Sequence, residues 1–153
     1  MTKALSDVFA SARAPRIDWE GEHVYAIYEM TPAPQRLTVE LLNATSSPVQ
    51  GLSVKVTGGT LEVDGVAAPE MLLWHDTVPG KVVVRVKSDR GKKVSLKIWN
   101  IWRGTVGGVG VTQAWLGNAG MRVYHDGEEL LLRCSDGEGP IDFDDLEARV
   151  VVE

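Results

Sequence analysis

Lys92–Leu132, KKVSLKIWNIWRGTVGGVGVTQAWLGNAGMRVYHDGEELLL, carries three of the five tryptophans and the longest alternating run in the chain. Val94, Leu96, Ile98, Asn100 and Trp102 alternate with Ser95, Lys97, Trp99, Ile101 and Arg103, which is the two-residue period of a strand. At its far end Asp126-Gly127 marks a hairpin. A two-residue turn there pairs Val123 with Leu130 and Met121 with Leu132, apolar against apolar. Between these strands, Arg103–Gly120 holds six glycines in eighteen residues. It reads as a strand over Val111–Leu116, a turn at Gly117-Asn118 and otherwise a flexible loop.

Working outward, Val82, Val84 and Val86 keep the same period. A three-residue loop, Asp89 to Gly91, would pair Val86 with Val94 and Val84 with Leu96, giving a second hairpin. Leu37, Val39 and Leu41 alternate, and a polar turn over Asn43–Gly51 leads to Leu52, Val54 and Val56. Gly58-Gly59 punctuates, then Leu61 and Val63 run into a hairpin turn at Asp64-Gly65. Pro69 assigns the return strand to an edge, and Met71–Trp74 reads as a strand covered on both sides. Trp19–Glu29 has β character, and Leu146, Ala148, Val150 and Val152 make an amphipathic last strand. Residues 1–14 read as an N-terminal extension, a short helix with Ser6 as cap and Leu5, Val8, Phe9 and Ala12 on one side, ended by Pro15. Such a helix is unstable alone, so partial disorder is expected there. Nine or ten strands with turn signals at short spacing predict an all-β fold. The expected fold is a two-sheet antiparallel β-sandwich, jelly-roll or immunoglobulin-like, forming one domain over residues 15–153.

Composition bounds the function. A chain of 153 residues with 44% hydrophobic and 24% charged residues can bury a full core in one domain. A net charge of -5, with scattered basic residues, argues against nucleic acid and anionic membranes as partners. Cys134 is the single cysteine, so no intrachain disulfide forms, which fits a reducing compartment. Without a signal-like apolar run, or the ~18 apolar residues of a membrane span, the expected location is cytoplasmic.

Three constellations carry candidate chemistry. On the hairpin register above, Trp99 lies on an outer sheet face beside Lys97 and near Arg103, where a flat ring is a stacking platform for a sugar. The competing reading covers Trp99 with a loop, the N-terminal helix or another subunit. Gln113, Trp115, Asn118 and Arg122 surround the glycine-rich loop and form the usual kit of a small-ligand pocket, though also of turns. Asp136, Asp142 and Asp144, with Glu138 and Asp145, make an acidic loop able to supply calcium ligands, the single cofactor the sequence suggests. Asn100, polar on an apolar face, requires a buried partner.

The expected function is therefore a non-catalytic binding module for a glycan, another small molecule or a protein, with its site beside the glycine-rich loop. One alternative is an assembly protein, a homo-oligomer whose interface contains Trp99, Ile101, Val83 and Leu131. The other is a small β-sandwich enzyme using Asp142 and Asp144, placed about 7 Å apart along a strand as would suit a two-carboxylate hydrolase, or a His from another strand. Cys134, continuing the inward series Leu130 and Leu132, reads as a small buried hydrophobe.

Overall fold

A computed structural model describes residues 4–78 and 80–153 of the chain. One helix, α1 (Leu5–Ala12), precedes fourteen strands among the described residues. These are β1 (Arg16–Trp19), β2 (Glu22–Tyr25), β3 (Tyr28–Met30), β4 (Arg36–Ala44), β5 (Gln50–Thr57), β6 (Gly59–Val63) and β7 (Val66–Ala68). There follow β8 (Glu70–Trp74), β9 (Lys81–Ser88), β10 (Ser95–Val106), β11 (Val109–Gln113), β12 (Gly120–Asp126), β13 (Glu129–Ser135) and β14 (Leu146–Val152). They form two antiparallel sheets packed as a β-sandwich. The larger runs β1-β2-β12-β13-β14-β4-β9-β6-β7, and the smaller runs β11-β10-β5-β8 with β3 also paired to β10.

The alternation sets which side chains meet. Leu37, Val39, Val82, Val84, Leu130, Leu132, Leu146, Ala148 and Val150 come from the larger sheet. They pack on Leu52, Val54, Val56, Leu73, Leu96 and Ile98 of the smaller one. The last strand, β14, is the central strand of the larger sheet, hydrogen-bonded to β13 on one side and β4 on the other. Cys134 is fully buried among these residues, and burial pushes its thiol pKa up. No helix among the described residues is long and apolar enough to cross a membrane.

The strand count exceeds the nine or ten expected because two stretches fold back where the pattern looked continuous or loose. Trp19–Glu29 splits into β1, β2 and β3, with a tight turn at Glu20-Gly21 and a bend after Tyr25. The glycine-rich segment contains a hairpin of its own: Gly107 and Gly108, both left-handed, close β10 onto β11 with Val106 opposite Val109. The strand expected over Val111–Leu116 is thus Val109–Gln113. The hairpin at Asp64-Gly65 forms as expected, with φ 49 and 81 and Val63 opposite Val66. The one expected at Asp126-Gly127 forms one residue later, around Gly127-Glu128, so Val123 faces Leu132 and Met121 faces Cys134. That two-residue shift preserves the inward set. Leu72 is exposed, so β8 is covered on one side only.

The expected pairing of Val86 with Val94 does not occur. β9 pairs with β4 and β6, placing Val82 against Val39 and Val84 against Leu37. β10 pairs with β5, setting Leu96 against Val56 and Ile98 against Val54. The loop after β9 therefore carries the chain from one sheet to the other. Beside it, the Gly58 corner carries β5 into β6 in the opposite sense, and the Asp89 N–H bonds the Gly58 carbonyl at 2.9 Å. The backbones touch here. A Cβ on Gly58, at φ 82, would strike the Lys93 carbonyl oxygen, and one on Gly59 would strike that of Lys87.

The N-terminal stretch forms the expected short helix over Leu5–Ala12; residues 1–3 of the expected extension lie outside the described residues. Leu5 is fully buried with Ile17 and Val24, and Val8, Phe9, Trp19, Ile141 and Phe143 pack on them. Ser6 is not the cap. Ala4 holds that position, and the free N–H groups go elsewhere: Leu5 N–H to Asn118 Oδ1 at 3.2 Å and Ser6 N–H to the Gly117 carbonyl at 2.8 Å.

Gly58→Ala is expected to lower stability by at least the ~1–2 kcal/mol cost of a left-handed residue, because the carbonyl clash adds to it. A urea unfolding midpoint measures this, and an unchanged midpoint would contradict the corner described.

Candidate functional site

The smaller sheet has an irregular edge. One side of β10 is fully taken by β5, from Ser95 to Trp102. On the other side β3 pairs with Leu96–Ile98 and β11 with residues from Trp102 onward, leaving residues 99–101 between them. Trp115, in the segment after β11, closes that gap. Its ring stacks on Trp99 (centroids 5.0 Å apart, planes 38° apart), and its Nε1–H donates to the Ala26 carbonyl at 3.0 Å.

Two consequences follow. Trp99 is on the outer face of β10 as expected, but it is covered: 7% exposed beneath Trp115. The exposed indole of the pair is Trp115, 46% exposed. Its backbone is left-handed at φ 58, a conformation that costs a bulky residue about 1–3 kcal/mol. The other left-handed non-glycine residues sit where geometry requires it: Arg13 caps α1, and Glu20 and Asp64 occupy hairpin turns. Trp115 fills neither role. Its strain is offset by the stack and the hydrogen bond, which hold the ring in place.

Trp115 borders a cavity of about 440 Å³. Its apolar lining is Ala14, Pro15, Ala26 and Ile27; its charged lining is Arg13, Lys97 and Glu29. Lys97 and Glu29 are directly opposite across β10 and β3. Among the described residues no ion pair engages Arg13 or Lys97. The site thus has an aromatic face, two free cations and one carboxylate around an apolar surface. A second cavity of about 480 Å³ shares Ala14, Pro15, Ile27 and Glu29 with it and adds Arg16, Tyr25 and Tyr28.

Of the residues singled out from sequence, this cavity unites Lys97 and Trp115. The others are placed elsewhere. Arg103 pairs with Asp76 at 2.8 Å and lies over the Trp74 ring at 4.6 Å. Gln113 accepts the Trp102 Nε1–H at 3.0 Å and lies over Gly104. Asn118 caps α1 and donates to the Gly139 carbonyl at 2.9 Å. Arg122 stacks on Phe143 at 4.2 Å and pairs with Glu22 at 3.1 Å. These polar groups are engaged by the fold, the usual fate of amides and guanidiniums at buried loops. Arg13, Glu29 and the apolar lining were not anticipated. They come from the α1–β1 connection, the β2–β3 bend and β3, far in sequence from Trp115, and no local pattern marks them.

Asn100 has its partner: its amide donates to the Ser135 carbonyl at 2.9 Å, joining the two sheets where the core opens to the acidic loop. That loop is bound up in itself. Asp136 is 2% exposed, and its carboxylate accepts from Gln50 Nε2 at 2.8 Å and from the Glu138 N–H at 2.9 Å. Asp142 is in a turn, accepting the Asp144 N–H at 2.9 Å, so the two are not aligned along a strand as expected. Asp142 and Asp144 border a separate polar cavity with Arg122 and Arg133, while Asp136 points inward to Gln50. Among the described residues no group of three or more His, Cys, Asp or Glu side chains is arranged to hold a metal. The expected assembly face is also divided. Trp99 and Ile101 belong to the smaller sheet and are buried, whereas Val83 and Leu131 lie in the larger sheet.

Asp145 is the perturbed group of this loop. Burial raises its pKa to about 6 and the charges of Asp136, Asp142 and Asp144 add to the rise, while the Asp136 N–H donated to Oδ2 at 2.9 Å opposes it. No family model, curated protein or solved structure matches the chain when it is compared with known proteins.

Because the folded pKa of Asp145 lies above its ordinary 3.8, the fold favours the neutral acid. Its ionised form is a cost at pH 7.5, and the cost is relieved as pH falls through about 6 towards 4. Asp145→Asn keeps an acceptor for the Asp136 N–H. It is expected to raise the melting temperature at pH 7.5 and to lose that advantage towards pH 4. Parallel curves for both proteins across this range would refute the assignment.

Proposed function

We propose that this protein is a non-catalytic carbohydrate-binding β-sandwich whose site is the Trp115 cavity. The observation that carries the reading is the fixed, half-exposed indole, strained at φ 58 and held by Trp99 and the Ala26 carbonyl. A side chain already immobilised loses little entropy when a ligand settles on it. A pyranose ring offers a face of C–H groups and a rim of hydroxyls. The face matches the indole. The hydroxyls, which both donate and accept, match Arg13 and Lys97 as donors and Glu29 as acceptor. Binding is favoured over glycoside hydrolysis because the cavity lining supplies one carboxylate, where the two-carboxylate mechanism needs a pair.

The test is a glycan array followed by titration of hits using tryptophan fluorescence. Trp115→Asn removes the platform with a residue that tolerates the left-handed backbone. It is expected to weaken binding roughly tenfold or more, the equivalent of about 1.4 kcal/mol, with the fold retained by circular dichroism. Lys97→Gln should weaken the same ligands less. A wild-type protein that responds to no glycan would remove this reading.

A further inference from the structure

The Trp115 cavity does not stand alone. The neighbouring cavity, with Tyr25 and Tyr28, shares four of its lining residues, so one wall serves both. Ala26, beside that wall in the first cavity, is tied to it: its N–H donates to the Pro15 carbonyl at 2.8 Å, and its carbonyl accepts from Trp115. Arg16 opposite Tyr25 continues the same strand pairing into the second cavity. Each cavity therefore holds an aromatic group at a fixed position from the shared wall. In the second it is Tyr28, packed edge-on against Tyr25 with centroids 5.2 Å apart and joined to His125 Nε2 through its hydroxyl at 3.2 Å.

The charges lining the pair are uneven. Arg13, Lys97 and Arg16 contribute three cations and Glu29 one carboxylate, on a protein whose net charge is -5. None of the three cations has an ion-pair partner among the described residues. Elsewhere Arg36, Arg103, Arg122, Arg133 and Arg149 each have a carboxylate partner, while among the described residues Arg85 and Arg90 do not. Unpaired cations gathered at two adjoining cavities favour an anionic ligand.

We infer that the site takes an acidic oligosaccharide of at least two units, one unit on Trp115 and a neighbouring unit in the Tyr28 cavity, with Arg13, Lys97 and Arg16 meeting its acid groups. The inference rests on the sugar-binding reading of the Trp115 cavity and adds ligand length and charge to it. Its physical basis is that one aromatic face and a few exposed hydrogen bonds barely offset the cost of association, whereas a linked second unit binds at high effective concentration.

The probes are oligogalacturonides of one to four units, which carry carboxylates, heparin-derived tetrasaccharides, which carry sulfates, and neutral cello-oligosaccharides of one to four units. Affinity is measured by calorimetry at two salt concentrations. An acidic tetramer should bind roughly tenfold or more tighter than the acidic monomer, with affinity falling as salt rises. The two acidic probes decide whether carboxylate or sulfate is preferred. Arg16→Gln, at an exposed position, and Tyr28→Leu should each erase most of the chain-length gain while leaving monomer binding intact. Trp115→Asn should weaken every length. Equal affinity for monomer and tetramer, or preference for neutral chains, overturns the inference but leaves the Trp115 site standing. Absence of binding to all three series by the wild-type protein overturns both.

Discussion

The chain passes between its two sheets twice at one corner, and the rest of the structure depends on the close contact made there. β5 turns into β6 through Gly58 and Gly59 while the segment after β9 descends into β10 alongside it, carbonyl against glycine Cα. β9 lies in the larger sheet between β4 and β6, and β10 is paired in the smaller one with β5, β3 and β11. The far edge of β10 is then shared by two short strands that do not meet. The Trp115 segment fills the opening between them, with its ring on Trp99 and its Nε1–H on the Ala26 carbonyl.

Around the site, polar side chains that look like ligand contacts in sequence have been recruited by the fold. Asn118 ends the helix by accepting the Leu5 N–H and ties down the acidic loop through Gly139. Gln113 satisfies the Trp102 indole, Asn100 satisfies Ser135, and Gln50 satisfies Asp136. Buried donors and acceptors left unpaired cost roughly 1–3 kcal/mol each, so at the end of a sandwich where loops converge, amides are consumed internally first. The charged residues divide in a similar way. On the larger sheet several pair with one another, as Arg149 does with Glu40 and Glu129 and Arg133 with Glu147, in pairs each worth no more than about 1 kcal/mol. At the Trp115 and Tyr28 cavities Arg13, Arg16 and Lys97 have no ion-pair partner among the described residues.

The period-2 pattern made the sandwich readable. Alternation names the inward residues of almost every strand, and it does so irrespective of partner: Val82 and Val84 face the core whether β10 or β4 lies alongside. For the same reason it cannot choose the partner. The pairing of Val86 with Val94 satisfied every local rule, yet so did Leu37 with Val84 and Leu96 with Val56, which are the pairs that form. Turn chemistry was similarly uneven. Asp64-Gly65 and the left-handed tolerance of glycine were legible, whereas the Gly107-Gly108 turn was lost in a segment read as a flexible loop.

From its sequence alone this chain is committed to an antiparallel sandwich, to a buried Cys134, to an edge role for the strands flanking Pro69, and to a tryptophan-rich strand whose alternate residues face opposite ways. Those properties follow from side-chain period and backbone stereochemistry, which act over a few residues. The tertiary structure decided that Trp99 is covered, that Trp115 covers it, and that Arg13, Glu29 and Lys97 stand around the exposed indole. These depend on which strands share an edge, and strand partnership is settled by the whole core and by the sheet-crossing corner rather than by any segment's own pattern.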